Sequence, residues 1–279
     1  MKPAYNQKMF KEVRKVPSFV PERCKGMLSK SNVRMFICPD AVELVAQMKK
    51  YEGFRNENRN SSMTTSRDES EWNGTKSFPE AVRIMQHGSD QLKKIVAESN
   101  RIIKHKLKDD EFEQDYYRFD TQGLFFDVGE VLSGAPEAFL NSEKSYKNEK
   151  HTDIIISNVH SASVDQEVIM KNAATVIALV KMLEQRSVRT RITVVSEKRV
   201  KGVDIYVFLP LKGYNEPFNY NKLSAYVHIS LARRIMFKWQ EVTNIIESGY
   251  AYPLKNFGGD AIDMSEPQNL DKLIKKYYK

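Results

Sequence analysis

Over residues 164–183 apolar side chains recur at helical spacing: Val164, Val168, Ile169, Ala173, Val176, Ile177, Val180 and Leu183, with Ala174, Ala178 and Leu179 widening the stripe. So broad a stripe predicts a helix buried deeply against a sheet. It is preceded by Ile154-Ile155-Ile156, a short continuous apolar run of the kind an α/β sheet buries on both faces. Two strand patterns follow, at 188–195 and 203–211. In the second, Val203, Ile205, Val207 and Leu209 alternate with Asp204, Tyr206 and Phe208. With only residues 196–202 between them, the pair predicts an antiparallel hairpin on the edge of the sheet. Residues 221–247 then predict one long helix carrying Leu223, Tyr226, Val227, Leu231, Ile235, Trp239, Val242 and Ile246, with Arg233, Arg234 and Lys238 on its opposite face.

The N-terminal half is less regular. Residues 1–30 are basic, broken by Pro3, Pro17 and Pro21, and read as an irregular arm. Residues 40–51 predict a helix opening on Asp40 and closing with Lys49-Lys50. The polar stretch 55–71 predicts a mobile loop. Ser77, followed by Phe78-Pro79-Glu80, predicts a helix start with a capping box, and Leu92, Ile95, Val96, Ile102 and Ile103 predict a second helix over 90–106. A strand is expected over 124–128. The whole predicts an α/β protein, with a two-layer or three-layer sheet and its buried helix over 151–247. A smaller, mainly helical region covers 31–142, and 248–279 form a tail.

At 279 residues and 41% apolar content, the chain has enough material for a sizeable core. No run of 18 apolar residues is present, so no membrane segment is expected. The charged start MKPAYNQKMFKEVRK argues against a signal peptide and for a cytoplasmic protein. Cys24 and Cys38 alone cannot make a disulfide scaffold or a zinc site. Neither a phosphate-binding glycine loop nor a nucleophile-base motif is present, and the acids of KDDEFEQDYYRFD lack a metal-binding spacing, so no enzyme and no cofactor is predicted. Cations outnumber acids by 44 to 36, which favours an anionic partner such as nucleic acid. The best-placed cations are Arg189 and Arg191, then Lys198, Arg199 and Lys201 at the hairpin tip, then Arg233, Arg234 and Lys238 near Tyr226, Phe237 and Trp239. Cations interleaved with aromatics suit single-stranded nucleic acid.

The turn SNVHSASVDQE at 157–167 has two readings. Ser163, three residues before Gln166 and followed by Asp165 and Glu167, makes a good helix N-cap, which explains the turn as a strand-to-helix corner. A loop after a buried strand is also where α/β sheets place ligands. The element order over 150–247 resembles a von Willebrand factor A-like domain, whose first strand leads into an Asp-x-Ser-x-Ser metal loop. Here the register supplies Asn158, His160, Ser161 and Ser163 but no aspartate, so the resemblance implies a degenerate metal site.

A second resemblance covers 72–247. The stretches FDVGEVLSGAPEAFLN, SASVDQEVIMKNAATVIALVKMLEQRSVRTRITVV and HISLARRIMFKWQE are similar to an uncharacterised family encoded by tailed bacteriophages and mobile elements. That implies a phage protein at work in the host cytoplasm. With the charge pattern, the expectation is a non-enzymatic accessory of replication or transcription that binds nucleic acid, single-stranded DNA above all. The alternative is a protein-interaction module docking to a polymerase, motor or virion component.

Overall fold

The computed structural model describes residues 11–38, 41–53, 73–87, 90–107, 117–120, 125–126, 139–142, 150–158, 164–217, 219–243, 252–253 and 257–278. The chain divides into two compact units, one of residues 1–103 and 151–279 and one of residues 104–150.

In chain order the described elements begin with β1 (Lys11–Val13), α1 (Glu22–Leu28), β2 (Val33–Ile37), α2 (Ala41–Lys50), α3 (Phe78–His87) and α4 (Asp90–Leu107). The smaller unit contributes β3 (Tyr117–Asp120), β4 (Phe125–Phe126) and β5 (Phe139–Ser142), an antiparallel sheet with β5 in the middle. Then follow β6 (Lys150–Ser157), α5 (Gln166–Gln185), β7 (Val188–Val200), β8 (Val203–Lys212) and α6 (Tyr220–Val227). A π-helix (Leu231–Met236) runs directly into α7 (Phe237–Thr243), and β9 (Tyr252–Pro253), β10 (Ala261–Asp263) and α8 (Leu270–Tyr277) close the chain.

The large sheet has the order β1-β2-β8-β7-β6-β10, with β9 also paired to β7. β2 runs parallel to β8, from Val33 opposite Asp204 to Ile37 opposite Phe208, and β10 runs parallel to β6. The protein is therefore α/β, as the pattern predicts, but its N-terminal half is not a separate helical region. Residues 11–13 and 33–37 extend the same sheet, and residues 22–28 form α1, where an irregular arm was expected. The hairpin accordingly lies inside the sheet and not on its edge. Its strands also run on through the residues expected to form the loop, leaving a two-residue turn, Lys201-Gly202. Both residues have positive φ, 49° and 80°, the conformation that matches the twist of a hairpin.

Side-chain alternation divides the sheet into two faces. Tyr206, Phe208, Val195, Ile155 and Met35 meet Val20, Cys24, Leu28 and Phe257, so α1 and irregular chain form a thin cover. On the opposite face Phe36 meets Trp239 of α7 edge to face at 5.9 Å, and α5, α6, the π-helix and α7 form the helical layer with α2 and α3. α5 packs against β7, α6 and α8, which explains its broad stripe: Ile169, Val176, Ile177 and Leu179 are all fully buried. Each such side chain contributes about 1.5–3 kcal/mol by leaving water.

The N-cap of α5 is Asp165, whose carboxylate accepts from Glu167 N at 2.9 Å, in place of the expected Ser163. At α3 the expected capping box is present in modified form. Ser77 Oγ accepts from Glu80 N, and the Glu80 carboxylate accepts from Lys76 N, one residue earlier than in the standard motif. The stretch 55–71 lies outside the described residues.

Gly74 has φ +74°, and a Cβ there would sit 2.3 Å from Ile229 Cγ2, whereas Gly202, at φ +80°, faces open space. Gly202→Ala should therefore cost only the left-handed backbone term, about 1–2 kcal/mol. Gly74→Ala adds an overpacking term of about 1–3 kcal/mol. Urea unfolding of the two variants should place Gly74→Ala clearly lower in midpoint; equal midpoints would contradict the close approach of residues 74 and 229.

Candidate nucleic-acid interface

The predicted cations fall into three groups. The first lies at the β7/β8 turn. Arg199, its side chain 54% exposed, makes a bidentate pair with Asp204 at 2.6 and 3.0 Å, and Lys201 is exposed at the turn itself. Beside them is a segment remote in sequence. Asn32 Nδ2 donates to Gly202 O at 3.1 Å, and Asp204 N donates to Asn32 O at 2.9 Å. These two bonds hold the 29–32 turn against the hairpin tip and bring exposed Lys30 to the same end of the sheet.

The second group starts β7. Arg189 is half-buried. Arg191 is bonded to both oxygens of Asp153, at 2.5 and 2.9 Å, with its guanidinium 4.8 Å from the Tyr214 ring and 5.8 Å from the Phe19 ring. Tyr214 Oη donates to the same Asp153 at 2.8 Å. Burial, and then this bond to a carboxylate, push the phenol up to about 12. His151, exposed, meets Tyr214 edge to face at 4.8 Å.

The third group is buried. Arg233, Arg234 and Lys238 were expected on a solvated helix face and Lys198 at the hairpin tip, but all four are buried, with exposures of 1%, 0%, 0% and 5%. The expected single helix is instead α6, a π-helix and α7. A π-turn widens the ladder by one residue, which rotates everything beyond it relative to a 3.6-residue period. Packing against α2 and α3 then encloses the cations. Arg234 donates to Thr75 O at 2.8 Å, Lys238 pairs with Glu241 at 3.1 Å, and Lys198 lies 5.2 Å from the Phe237 ring centre. Burial lowers Arg233 to about 10. Tyr226 and Trp239 are buried as well and offer no stacking surface.

The corner after β6 shows Asn158 buried, its backbone N donating to Val195 O at 3.2 Å, while His160, Ser161 and Ser163 lie outside the described residues. The adjacent parallel strand ends at Asp263, whose carboxylate accepts from Ser265 N and Oγ at 2.8 and 2.6 Å. Among the described residues no three His, Cys, Asp or Glu side chains converge to hold a metal. No described helix is long and apolar enough to cross a membrane.

Residues 25–277 match the model of a family described as a Domain of unknown function (DUF7192). The chain belongs to the DUF7192 family. No curated protein and no solved structure matches it. The DUF7192 span takes in Lys30, His151, Arg191, Arg199, Lys201 and Tyr214, and leaves β1 outside.

Lys30, His151 and Tyr214 were not singled out from the sequence. The only signals they carried were a basic residue beside Asn32 and an aromatic residue just beyond a strand.

A buried network ties the π-helix to the segment before α3. Ser230 Oγ donates to Asn73 O at 2.6 Å, Ser230 N donates to His228 Nδ1 at 3.1 Å, and His228 Nε2 lies 3.2 Å from Gln91 Oε1. Burial lowers the His228 imidazole to about 4. The unfolded chain therefore takes up a proton near pH 6.5 that the folded chain refuses until about pH 4. Stability is complete above that window and falls by about 3 kcal/mol as pH drops through it. In His228→Gln that part of the slope should vanish. Denaturant midpoints measured across the window check this, and an unchanged slope in the variant would refute it.

Proposed function

We propose that the chain is a non-enzymatic nucleic-acid-binding protein that takes phosphates on the exposed Lys30 and Lys201 at the hairpin end of its sheet, beside the Arg199–Asp204 pair. The observation that carries this reading is the joining of the 29–32 turn to the hairpin tip through Asn32, which concentrates cations from two distant parts of the chain. Arg23, on α1 of the same cover face, has a side chain 67% exposed even while paired with Asp260. Phosphate neutralisation is the sequence-independent term in nucleic-acid affinity, and exposed cations suit it.

Among the described residues the exposed large hydrophobics are Val42 and Tyr278, at 53% and 41%, which are too few for an apolar docking patch. That supports a charged partner over the protein-interaction alternative. The likeness to a phage-encoded family is the ground for assigning the protein to replication or transcription.

Fluorescence anisotropy with a labelled strand at two salt concentrations tests the reading. The double charge reversal Lys30→Glu with Lys201→Glu should weaken binding at low salt and reduce the slope of log K against log salt by about one per lost contact. Affinity and slope equal to those of the unaltered protein would overturn it.

A further inference from the structure

From the second cation group we infer that His151 and Tyr214 form a seat on which an unpaired nucleobase stacks. This rests on the nucleic-acid reading and goes beyond it, because it names a single strand as the ligand and the base as the group recognised.

Three observations carry the inference. Tyr214 is held rigidly: Asp153 accepts its hydroxyl at 2.8 Å, and the Arg191 guanidinium, itself doubly bonded to Asp153, lies 4.8 Å from its ring centre. Phe19 backs that guanidinium at 5.8 Å and packs in turn on Phe208 of β8 at 5.4 Å, so the cluster is anchored in the sheet. His151 stands exposed against Tyr214, edge to face at 4.8 Å and 82°. A ring already fixed by its neighbours loses little side-chain entropy when a base settles on it, and that loss is what weakens stacking on a freely rotating aromatic.

The surroundings suit a strand. Arg189 is two residues from Arg191 on the same side of β7. At about 3.3 Å per residue, Lys201 lies about 30 Å further along that strand. Arg191 meets Phe19, and Arg199 pairs with Asp204, which shares a face of β8 with Tyr206 and Phe208, so both arginines lie on the α1 side of the sheet. α1 and the chain before it cover the middle of that face, so a strand would meet phosphate contacts at the hairpin end and the seat at the other end. A duplex presents no unpaired base to it.

Stacking contributes ~1–3 kcal/mol per base, about 5- to 150-fold in Kd. The test compares a short single strand that carries bases with the same strand built from abasic units, which keeps the phosphates and removes the rings. The unaltered protein should bind the base-bearing strand at least about fivefold more tightly. His151→Ala, a change at an exposed position, should lose most of that preference while keeping the abasic affinity. His151→Phe should restore the preference. Lys201→Glu should weaken both strands alike. A protein that binds both strands equally, or a His151→Ala variant with its preference intact, overturns the seat and leaves the phosphate reading standing. No binding of either strand at low salt overturns both.

Discussion

β8 is buried on both faces from Asp204 to Leu209, and a strand in that position needs a hydrogen-bonded neighbour on each side, because an unpaired backbone donor away from water costs about as much as a lost hydrogen bond. One neighbour is its hairpin partner β7. The other is β2, about 170 positions earlier in the chain, laid parallel from Val33 to Ile37. Much follows from this pairing. It carries β1 into the sheet, sets α1 over Tyr206 and Phe208, and leaves the 29–32 turn lying against the hairpin tip. The cation group on which the proposed nucleic-acid binding rests is thus a by-product of how the strand edge is satisfied.

The opposite face is governed by a different constraint. Arg233, Arg234 and Lys238 are enclosed, with Thr75 and Glu241 as partners, and burying charges is tolerable only where partners replace water. Arg234 to Thr75 O and Lys238 to Glu241 are two such replacements. Ser230 bonded to Asn73 O and Gly74 closed over Ile229 pin the same π-helix to the segment that opens α3. The helical layer is therefore a polar, specific assembly as well as an apolar one. Its cations are structural, which removes them from the surface field that net charge alone suggests.

Local pattern was enough for what is decided locally. The α5 stripe, the alternation in β8, the α4 period and the Ser77 start of α3 each depend on side chains a few positions apart, and each is found where the pattern places it. What escaped depends on contacts far apart in sequence or on a changed period. VRMFI is a short segment whose strand identity comes from β8. The exposure of Arg233 and Lys238 was misjudged because a π-turn breaks the 3.6-residue count. Half of the candidate site was legible for the same reason: Arg199 and Lys201 follow from the hairpin, whereas Lys30 arrives through Asn32, and Tyr214 acquires its role from Asp153 and Arg191.

Burial of Tyr226 and Trp239 removes two of the three aromatics first matched to the basic residues, and the third, half-buried Phe237, stands against the buried Lys198, which weakens the original argument for single strands. A preference for single strands needs rings held at the surface, since phosphates alone do not distinguish an unpaired strand from a duplex. The Asp153–Arg191–Tyr214 cluster supplies such a ring at the end of β7 away from the tip, with His151 beside it. Arg191 spends its charge on Asp153, so its contribution is to hold a planar surface in place and not to neutralise phosphate. In the proposed reading, charge at one end of the strand and a fixed aromatic surface at the other divide the work between affinity and choice of ligand.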